Sequence, residues 1–262
     1  AKSILITSIE GHSGKSLIAL GVIDALRRAA PRVGVFRPVT RSSAGTDDVL
    51  EMLLSRSDIE LGAADCIGVG YDELRADQDL ALARILERYR AVEAQCDAVV
   101  ILGSDYTDVA SPAELAVNAR IAANLGAPVL LVLGGREHAG HGEQLGHTAA
   151  RTAAQLGQLA RLGVSELAQE RAALSAVIVN RADGDRLDEI TATVSAVVAE
   201  VAAADGSDEV VPVWTIPEDR SLVAPSVQGV LQALEGRLLR GDSERLDREV
   251  LDIVIAGKIG RA

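Results

Sequence analysis

The stretch Ser8-Ile9-Glu10-Gly11-His12-Ser13-Gly14-Lys15-Ser16 decides the fold of this chain. It lies between an apolar run, Ile4-Leu5-Ile6, and an apolar helical pattern that begins at Leu17. A strand, a glycine-containing loop and a helix in this order are typical of a phosphate-binding loop. Because Gly11 and Gly14 can adopt backbone angles closed to other residues, the loop amides can converge on an anion. The N-terminal end of the helix adds a partial positive charge.

This loop predicts a site for phosphate or a nucleotide. The predicted contacts come from Glu10, Gly11, His12, Ser13, Gly14, Lys15 and Ser16. Lys15 would reach the outer phosphates, and Ser16 would offer its hydroxyl to Mg²⁺. The standard pattern has glycine where this chain has Ile9, and the spacing fits a variant loop whose first small residue is Ser8. The alternative is an ordinary strand-to-helix turn that uses glycine for its geometry.

Composition narrows the class of protein. The 262 residues are enough for one large domain or a domain with a small appendage. Hydrophobic residues make up 48% of the chain and aromatic residues only 2%, so Ala, Val, Leu and Ile must build the core. This favours helices packed on a parallel sheet. The formal net charge of −12, without a basic stripe, argues against nucleic acid and anionic membranes as partners.

The sequence also indicates a compartment. No apolar run approaches the roughly 20 residues that span a bilayer. No signal-peptide pattern opens the chain, so we expect a cytoplasmic protein. Cys66 and Cys96 lack metal-ligand spacing and suggest buried thiols in a reducing environment.

Strands and helices alternate along the chain, which implies a mainly parallel sheet covered by helices on both faces. Strands are predicted at residues 4–6, 32–36, 97–103, 128–133, 175–180 and 210–214, and residues 67–69 are predicted to form a short strand or an extended segment. Helices are predicted at residues 14–30, 46–54, 72–95, 113–125, 186–203 and 226–237, with one or two more within 143–173. The fold class is therefore α/β with three layers.

Two arginines and two aspartates follow the second predicted strand. Arg37 and Arg41 are predicted to lie in a loop at its carboxyl end, where open α/β sheets bind ligands. They are candidates to meet an anion, and two solvated arginines are the alternative. Asp47 and Asp48 either cap the next helix or contact Mg²⁺.

The buried fourth strand ends without a carboxylate. In phosphate-loop enzymes a strand of this kind often ends in a carboxylate that orients Mg²⁺ or water. Here Leu102 occupies that place, and the first acidic residues are Asp105 and Asp108. We interpret them as part of a polar loop, with a substitute carboxylate as the alternative. The spacing of His138, His141 and His147 matches no standard metal motif, and we interpret that segment as a glycine-rich loop.

Four segments together resemble one known family. They are residues 10–21, 33–39, 96–100 and 103–112. They resemble the N-terminal domain of long, multidomain bacterial phosphate acetyltransferases, and the last segment resembles the actinobacterial branch. The likeness covers nearly the whole chain. It implies that acetyl transfer between CoA and phosphate belongs to a separate C-terminal domain, absent from this chain, while the N-terminal part serves regulation and oligomer stability.

That domain is itself similar to dethiobiotin synthetase, an ATP-dependent ligase. The similarity implies a P-loop NTPase-like fold, with ATP or ADP and Mg²⁺ as cofactors. By this likeness Lys15 and Ser16 match the phosphate-loop Lys and Thr of the synthetase, and Asp48 matches an Asp that binds Mg²⁺. Asn180 matches the Asn that reads adenine.

Two departures from the synthetase predict that ligase chemistry is absent. Arg37 replaces a catalytic Lys, and Leu102 replaces a Glu. We therefore expect a regulatory, nucleotide-binding-like domain at residues 1–240. Residues 241–262 are expected to begin a following domain. The expected partners are the catalytic domain of the same polypeptide and further copies in a homo-oligomer. The alternatives are a synthetase-like ATP ligase and a purely structural oligomerisation domain.

Overall fold

The computed structural model describes residues 2–41, 47–57, 61–104, 114–137, 148–206, 209–223 and 226–250. The chain forms two compact units. The first comprises Ala1–His138 and Ala149–Pro217, and the second comprises Ala139–Thr148 and Glu218–Ala262. The predicted division between residues 240 and 241 stays a prediction.

A seven-stranded parallel sheet forms the centre of the first unit. Its strands are β1 (Lys2–Ser8), β2 (Val33–Thr40), β3 (Ile67–Gly70), β4 (Ala98–Leu102), β5 (Val129–Gly134), β6 (Leu174–Ala182) and β7 (Val213–Pro217). They lie in the order β3-β2-β4-β1-β5-β6-β7, and each neighbouring pair is parallel. Strands β2, β4 and β5 are buried along their whole length. This is expected for β4 and β5, which are continuous apolar runs in a sheet covered on both faces.

Helices cover both faces of this sheet. They are α1 (Lys15–Leu26), α2 (Asp48–Leu54), α3 (Tyr71–Ala76), α4 (Gln78–Glu93), α5 (Glu114–Leu125), α6 (Ala153–Gln169) and α7 (Leu187–Ala204). Residues of α1 and α2 share one hydrophobic core with alternate residues of the strands, among them Ile6 and Leu102. Residues of α3 to α7 share a second core with the opposite set, among them Leu5 and Ile101. The predicted three-layer α/β fold is therefore confirmed.

The strand order places the loop after β1 in the middle of the sheet. Strand β1 has β4 on one side and β5 on the other, and the chain crosses from one half of the sheet to the other between them. Ligands of open α/β sheets bind outside the carboxyl ends of the strands at such a crossover. The loop at residues 9–14 lies at this position, between the end of β4 and the end of β5.

Two predicted boundaries on the β2 side were wrong. Strand β2 extends to Thr40, so Arg37 lies within it and not in a loop. The helix predicted at residues 72–95 is two helices, because the chain breaks at Asp77, whose φ of −155° is extended. The carboxylate of Asp77 accepts a hydrogen bond from the N–H of Leu80 at 3.0 Å, which caps the new helix.

Strand β7 forms an edge of the sheet. It begins at Val213, directly after Pro212, three residues later than the predicted start at residue 210. Trp214 has 53% of its surface exposed and Ile216 has 38%. On the other side of the strand, the hydroxyl oxygens of Thr215 and Thr191 lie 2.6 Å apart and connect β7 to α7.

The second unit contains the short helix α8 (Val227–Ala233). Ser226 caps it, with its hydroxyl accepting a hydrogen bond from the N–H of Gly229 at 3.0 Å. An isolated antiparallel bridge joins Ser226 to Glu249. None of the helices in the described ranges is long and apolar enough to cross a membrane.

Candidate functional site

The loop between β1 and α1 contains two residues in the left-handed region of backbone space. His12 has a φ of +58° and Gly14 has a φ of +79°. Glycine adopts this conformation without strain, whereas a positive φ at histidine is uncommon and typical of functional loops. Ser8 begins the turn, because its hydroxyl donates to the carbonyl of Glu10 at 2.8 Å.

Among the described residues, no side chain caps the N-terminal end of α1. Gly14 stands at the N-cap position without a side-chain hydrogen bond, and the first turn contains no acidic residue. In contrast, α2, α4 and α6 begin with side-chain caps from Asp47, Asp77 and Thr152. The first N–H groups of a helix need an acceptor, and an anion is a suitable one.

Several polar groups of the loop, including two amides and one hydroxyl, have no partner within the described part of the chain. The N–H groups of Ser13 and Gly14 make no hydrogen bond there. The hydroxyl of Ser13 is also without a partner, although the residue is only 1% exposed. Lys15 follows in the first turn of α1 and is 2% exposed, while Ser16 is half-buried. This arrangement offers hydrogen-bond donors and a buried ammonium group to an anion.

The end of β6 contacts the same loop. The side-chain amide of Asn180 donates to the carbonyl of Ser13 at 2.9 Å. The guanidinium of Arg181 donates to the carbonyl of His12 at 3.2 Å. The hydrogen bond to Ser13 places Asn180, a predicted nucleotide-site residue, beside the loop. Its side chain is buried there, with 6% of the residue exposed.

An ion pair ties the loop to the end of β5. Both carboxylate oxygens of Glu10 accept hydrogen bonds from the guanidinium of Arg151. The same guanidinium donates to the carbonyl of Gly134 at 2.9 Å. The predicted site residue Glu10 is therefore engaged in holding the loop against β5.

Arg37 has a structural environment that the sequence did not predict. Its side chain is 4% exposed and forms an ion pair with Asp47 at 3.0 Å. It also donates to the carbonyl of Gly103 at 3.3 Å. The other carboxylate oxygen of Asp47 caps α2 through the N–H of Leu50. Arg37 is thus not solvated, because Asp47 and the carbonyl of Gly103 are its partners inside the protein. It also lies within β2 and not in a loop.

The other predicted site residues near β2 are more exposed. Asp48 is exposed in the first turn of α2, and Arg41 is exposed after β2. In the described ranges no three His, Cys, Asp or Glu side chains gather into a group that could hold a metal ion. Asp105, Asp108, His138, His141 and His147 lie outside the described residues.

The end of β4 is apolar and tightly held. Leu102 is fully buried in the core between the sheet and α1. The backbone of Ser104 is fixed by Asn118 of α5, which accepts from its N–H at 3.1 Å and donates to its carbonyl at 3.0 Å. A side chain at Gly103 would come within 2.8 Å of Asn118. Among the described residues this strand end carries no carboxylate, and its backbone groups are engaged by Asn118 and Arg37.

These features find a match among known proteins. Residues 2–226 match the family described as AAA domain. The chain belongs to the AAA domain family. The predicted P-loop NTPase-like architecture agrees with this membership and with the parallel sheet around β1.

This AAA domain is similar to part of two longer curated proteins. The phosphate acetyltransferase of Synechocystis sp. is 27% identical over 268 residues, which cover 99% of this chain and 35% of that protein. The phosphate acetyltransferase of Nitratidesulfovibrio vulgaris is 25% identical over 263 residues, which cover 98% of this chain and 35% of that protein. The chain therefore spans about a third of the length of these relatives.

Solved structures resemble the AAA domain in fold alone. The MinC:MinD cell division protein complex of Aquifex aeolicus is 16% identical with a TM-score of 0.45, covering 85% of this chain and 84% of that chain. The signal recognition particle 54 kDa protein of Aeropyrum pernix K1, in complex with GDP, is 19% identical with a TM-score of 0.45. That match covers 83% of this chain and 42% of the other.

Sequence reasoning missed three side chains that shape the site of this AAA domain. Arg151 and Arg181 are 141 and 169 residues from the loop residues that they contact, and Asn118 is 14 residues from Ser104 after β4. No local sequence pattern predicts contacts of this kind. A weak signal was available for Arg181, because it follows Asn180 at the end of a strand predicted to reach the ligand crevice.

The two thiols of the AAA domain are buried, as predicted. Cys66 is fully buried and Cys96 is 6% exposed, and neither forms a disulfide. Burial raises the pKa of the Cys66 thiol to about 12 and that of Cys96 to about 11. Because the thiolate is the reactive form, both groups are chemically inert near neutral pH.

Proposed function

We propose that this chain is the N-terminal domain of a phosphate acetyltransferase, in which it binds a nucleotide at residues 10–16 and regulates the enzyme. The observation that carries nucleotide binding is the uncapped start of α1, where the N–H groups of Ser13 and Gly14 have no partner among the described residues. Free amides at a helix start bind phosphate through hydrogen bonds and through the helix dipole.

The residues around the loop suit a nucleotide with Mg²⁺. Lys15 would contact the outer phosphates as a point charge. Ser16 and Asp48 supply the hydroxyl and carboxylate oxygens that Mg²⁺ prefers, and phosphate oxygens and water would complete its shell. Asn180 lies beside Ser13 and is available to the nucleotide site. ATP or ADP with Mg²⁺ is therefore the proposed cofactor pair.

The parent reaction, acetyl-CoA and phosphate giving acetyl phosphate and CoA, is proposed to take place elsewhere in a longer polypeptide. The support is that this chain corresponds to about a third of each phosphate acetyltransferase that it matches. The C-terminal catalytic domain of the same polypeptide is the first proposed partner, and further copies in a homo-oligomer are the second. A cytoplasmic location follows from this metabolic role.

A dethiobiotin synthetase-like ligase is the alternative function. Two observations disfavour it. Leu102 is fully buried where the synthetase has a Glu, and Arg37 is engaged with Asp47 where the synthetase has a catalytic Lys. An arginine stays charged and cannot transfer protons in place of a lysine.

Calorimetric titration with ATP and ADP, with and without Mg²⁺, tests the nucleotide site. Lys15→Ala should weaken binding by about 1.5–3 kcal/mol, the scale of a hydrogen bond to a charged group. Lys2→Ala is the matched control, because Lys2 is exposed at the start of β1, at the other end of the strand. Equal affinities of the wild type and the Lys15 variant would rule out this site.

A comparison of the complete polypeptide with a version lacking residues 1 to about 240 tests the regulatory role. We expect the shortened enzyme to retain acetyl transfer and to lose part of its response to small-molecule effectors, or its assembly. Allosteric coupling requires effector contacts that differ between two global states. Unchanged response together with unchanged assembly would refute the role. Acetyl phosphate formation by the isolated chain would refute the proposed division of labour.

A further inference from the structure

We propose that Asn180 and Arg181 are positioning residues that aim two amides of the phosphate-binding loop at the anion. This inference rests on the proposed nucleotide site and specifies how that site is held in shape. It gives Asn180 a role in positioning the loop backbone, in addition to the adenine contact that the family resemblance implies.

Each of these two side chains holds one carbonyl group of the loop. Arg181 donates to the carbonyl of His12 at 3.2 Å, and Asn180 donates to the carbonyl of Ser13 at 2.9 Å. The described chain contains no cis peptide bond. In a planar trans peptide, the carbonyl of one residue and the N–H of the next point in opposite directions.

The direction of two amides follows from this geometry. With the His12 carbonyl held toward Arg181, the N–H of Ser13 points away from β6. With the Ser13 carbonyl held toward Asn180, the N–H of Gly14 also points away from β6. Both of these amides are without a partner within the described ranges. The end of β6 therefore orients both donors toward the space outside the start of α1.

Close packing reinforces the orientation. A Cβ atom at Gly14 would lie 2.3 Å from the side-chain nitrogen of Asn180, so the two residues are in direct contact. The carbonyl of Asn180 in turn accepts a hydrogen bond from the N–H of Gly135 at 2.7 Å. Asn180 is thus fixed on the β5 side while its side chain holds the loop.

The backbone of Arg181 is strained in the way that this task requires. Its φ is +60°, and the register between β6 and β7 shifts between Val179 and Ala182. Such irregularities bend a strand and redirect a side chain, and they are common beside functional sites. The residue that it contacts, His12, has a positive φ of +58° as well. Two strained residues in contact indicate that the geometry of this junction is specified by the fold.

The experiment uses ¹⁵N relaxation of the ligand-free chain and titration with inorganic pyrophosphate and with ADP. In the wild type we expect the Ser13 and Gly14 amides to be as rigid as the strands, with order parameters of about 0.85. Arg181→Ala should lower the order parameter of Ser13, and Asn180→Ala should lower that of Gly14. Each variant should weaken the binding of pyrophosphate and of ADP roughly 3- to 10-fold, the factor that corresponds to the loss of one hydrogen bond.

Two further variants separate the proposed mechanism from other effects. Arg181→Gly removes the same donor but relieves the positive φ, so it should match Arg181→Ala in loop order and in affinity even if its stability is higher. Arg161→Ala removes an arginine of α6 that pairs with Glu200, so it controls for the loss of one positive charge. Arg161→Ala should leave unchanged the order parameters of the loop amides and the affinities for pyrophosphate and ADP.

The outcomes distinguish this inference from the proposed function. Rigid Ser13 and Gly14 amides in all variants would overturn the positioning role, whatever the affinities. Equal weakening by Arg161→Ala would overturn it in favour of general charge attraction. If the wild type bound neither pyrophosphate nor ADP, the proposed nucleotide site would fail, while the order parameters of the ligand-free chain would still decide whether Asn180 and Arg181 hold the loop.

Discussion

Arg37 and Arg32 form the same kind of ion pair in different surroundings. The Arg37–Asp47 pair has side chains that are 4% and 11% exposed, whereas the Arg32–Asp97 pair has side chains that are 55% and 35% exposed. Arg37→Ala should lower the free energy of unfolding by about 3–5 kcal/mol, because it leaves a buried carboxylate unpaired. Arg32→Ala should have a much smaller effect, because water replaces the lost partner.

Urea unfolding of both variants measures this difference. A larger loss of stability in the Arg32 variant, or equal losses in the two, would contradict the assigned role of Arg37. Asp47→Ala should also destabilise the protein strongly, because it removes both the partner of Arg37 and the cap of α2.

At the level of single residues, the sequence predicts features that depend on neighbouring residues and misses contacts between distant parts of the chain. Gly14, Lys15 and Ser16 were identified from spacing, and the structure brings them to the start of α1. The burial of Arg37 was not predictable, because it depends on a carboxylate ten residues later and on the carbonyl of Gly103, which follows another strand.

The proposed phosphate site depends on the start of α1, and substitutions at two glycines test this dependence. Gly14 and Gly126 both have positive φ, at +79° and +65°. A Cβ at Gly14 would collide with Asn180, whereas one at Gly126 would meet no atom within 4 Å. Gly126→Ala should cost about 1–2 kcal/mol from backbone strain alone. Gly14→Ala should cost more and should also reduce phosphate affinity.

Thermal and urea unfolding of these two variants, followed by titration with pyrophosphate, would measure both effects. A Gly14 variant no less stable than the Gly126 variant would show that the contact with Asn180 does not constrain the loop.

The helices and strands were predictable where the apolar pattern was long and uninterrupted. Strands β4 and β5 lie where they were expected, since continuous apolar runs have no other stable environment. The break at Asp77 was missed because the apolar spacing continues across it, while the capping hydrogen bond to Leu80 depends on a single side chain. The start of β7 was misplaced because Val210 and Val211 look like strand residues, although the strand begins only after Pro212.

For the whole molecule, buried acids set the dependence of stability on pH. Burial raises the pKa of Cys66 from 9.0 to about 12, that of Cys96 from 9.0 to about 11, and that of Tyr89 from 10.0 to about 12. Between these values the unfolded chain releases protons that the folded chain retains. These three groups should therefore leave the free energy of unfolding unchanged from neutral pH to about pH 9 and should lower it as the pH rises toward 12.

Urea midpoints measured at closely spaced pH values from neutral to strongly alkaline would check this dependence. Cys66→Ala should make the decline shallower, because it removes one of the three groups. A midpoint that stays constant well above the ordinary pKa of a thiol would contradict the burial of these side chains.

The order of the strands, in contrast, is a property of the whole molecule that no local segment encodes. Alternating strands and helices predicted a parallel sheet, and the phosphate loop predicted the importance of β1. Only the structure shows that β4 separates β1 from β2 and that β5 lies on the other side. This arrangement brings Arg151 and Arg181 to the loop from distant parts of the sequence.

Trp214 is the only tryptophan of the chain, and it lies half-exposed on the edge strand β7. The protein therefore contains its own fluorophore at a place three strands away from β1, which is roughly 14 Å at the usual spacing of strands. Emission from an indole moves to shorter wavelength when water is removed from it. Pyrophosphate bound at the start of α1 would leave the emission wavelength unchanged, whereas a second copy or another domain that covered β7 would shift it. Unlabelled protein can thus report assembly separately from ligand binding.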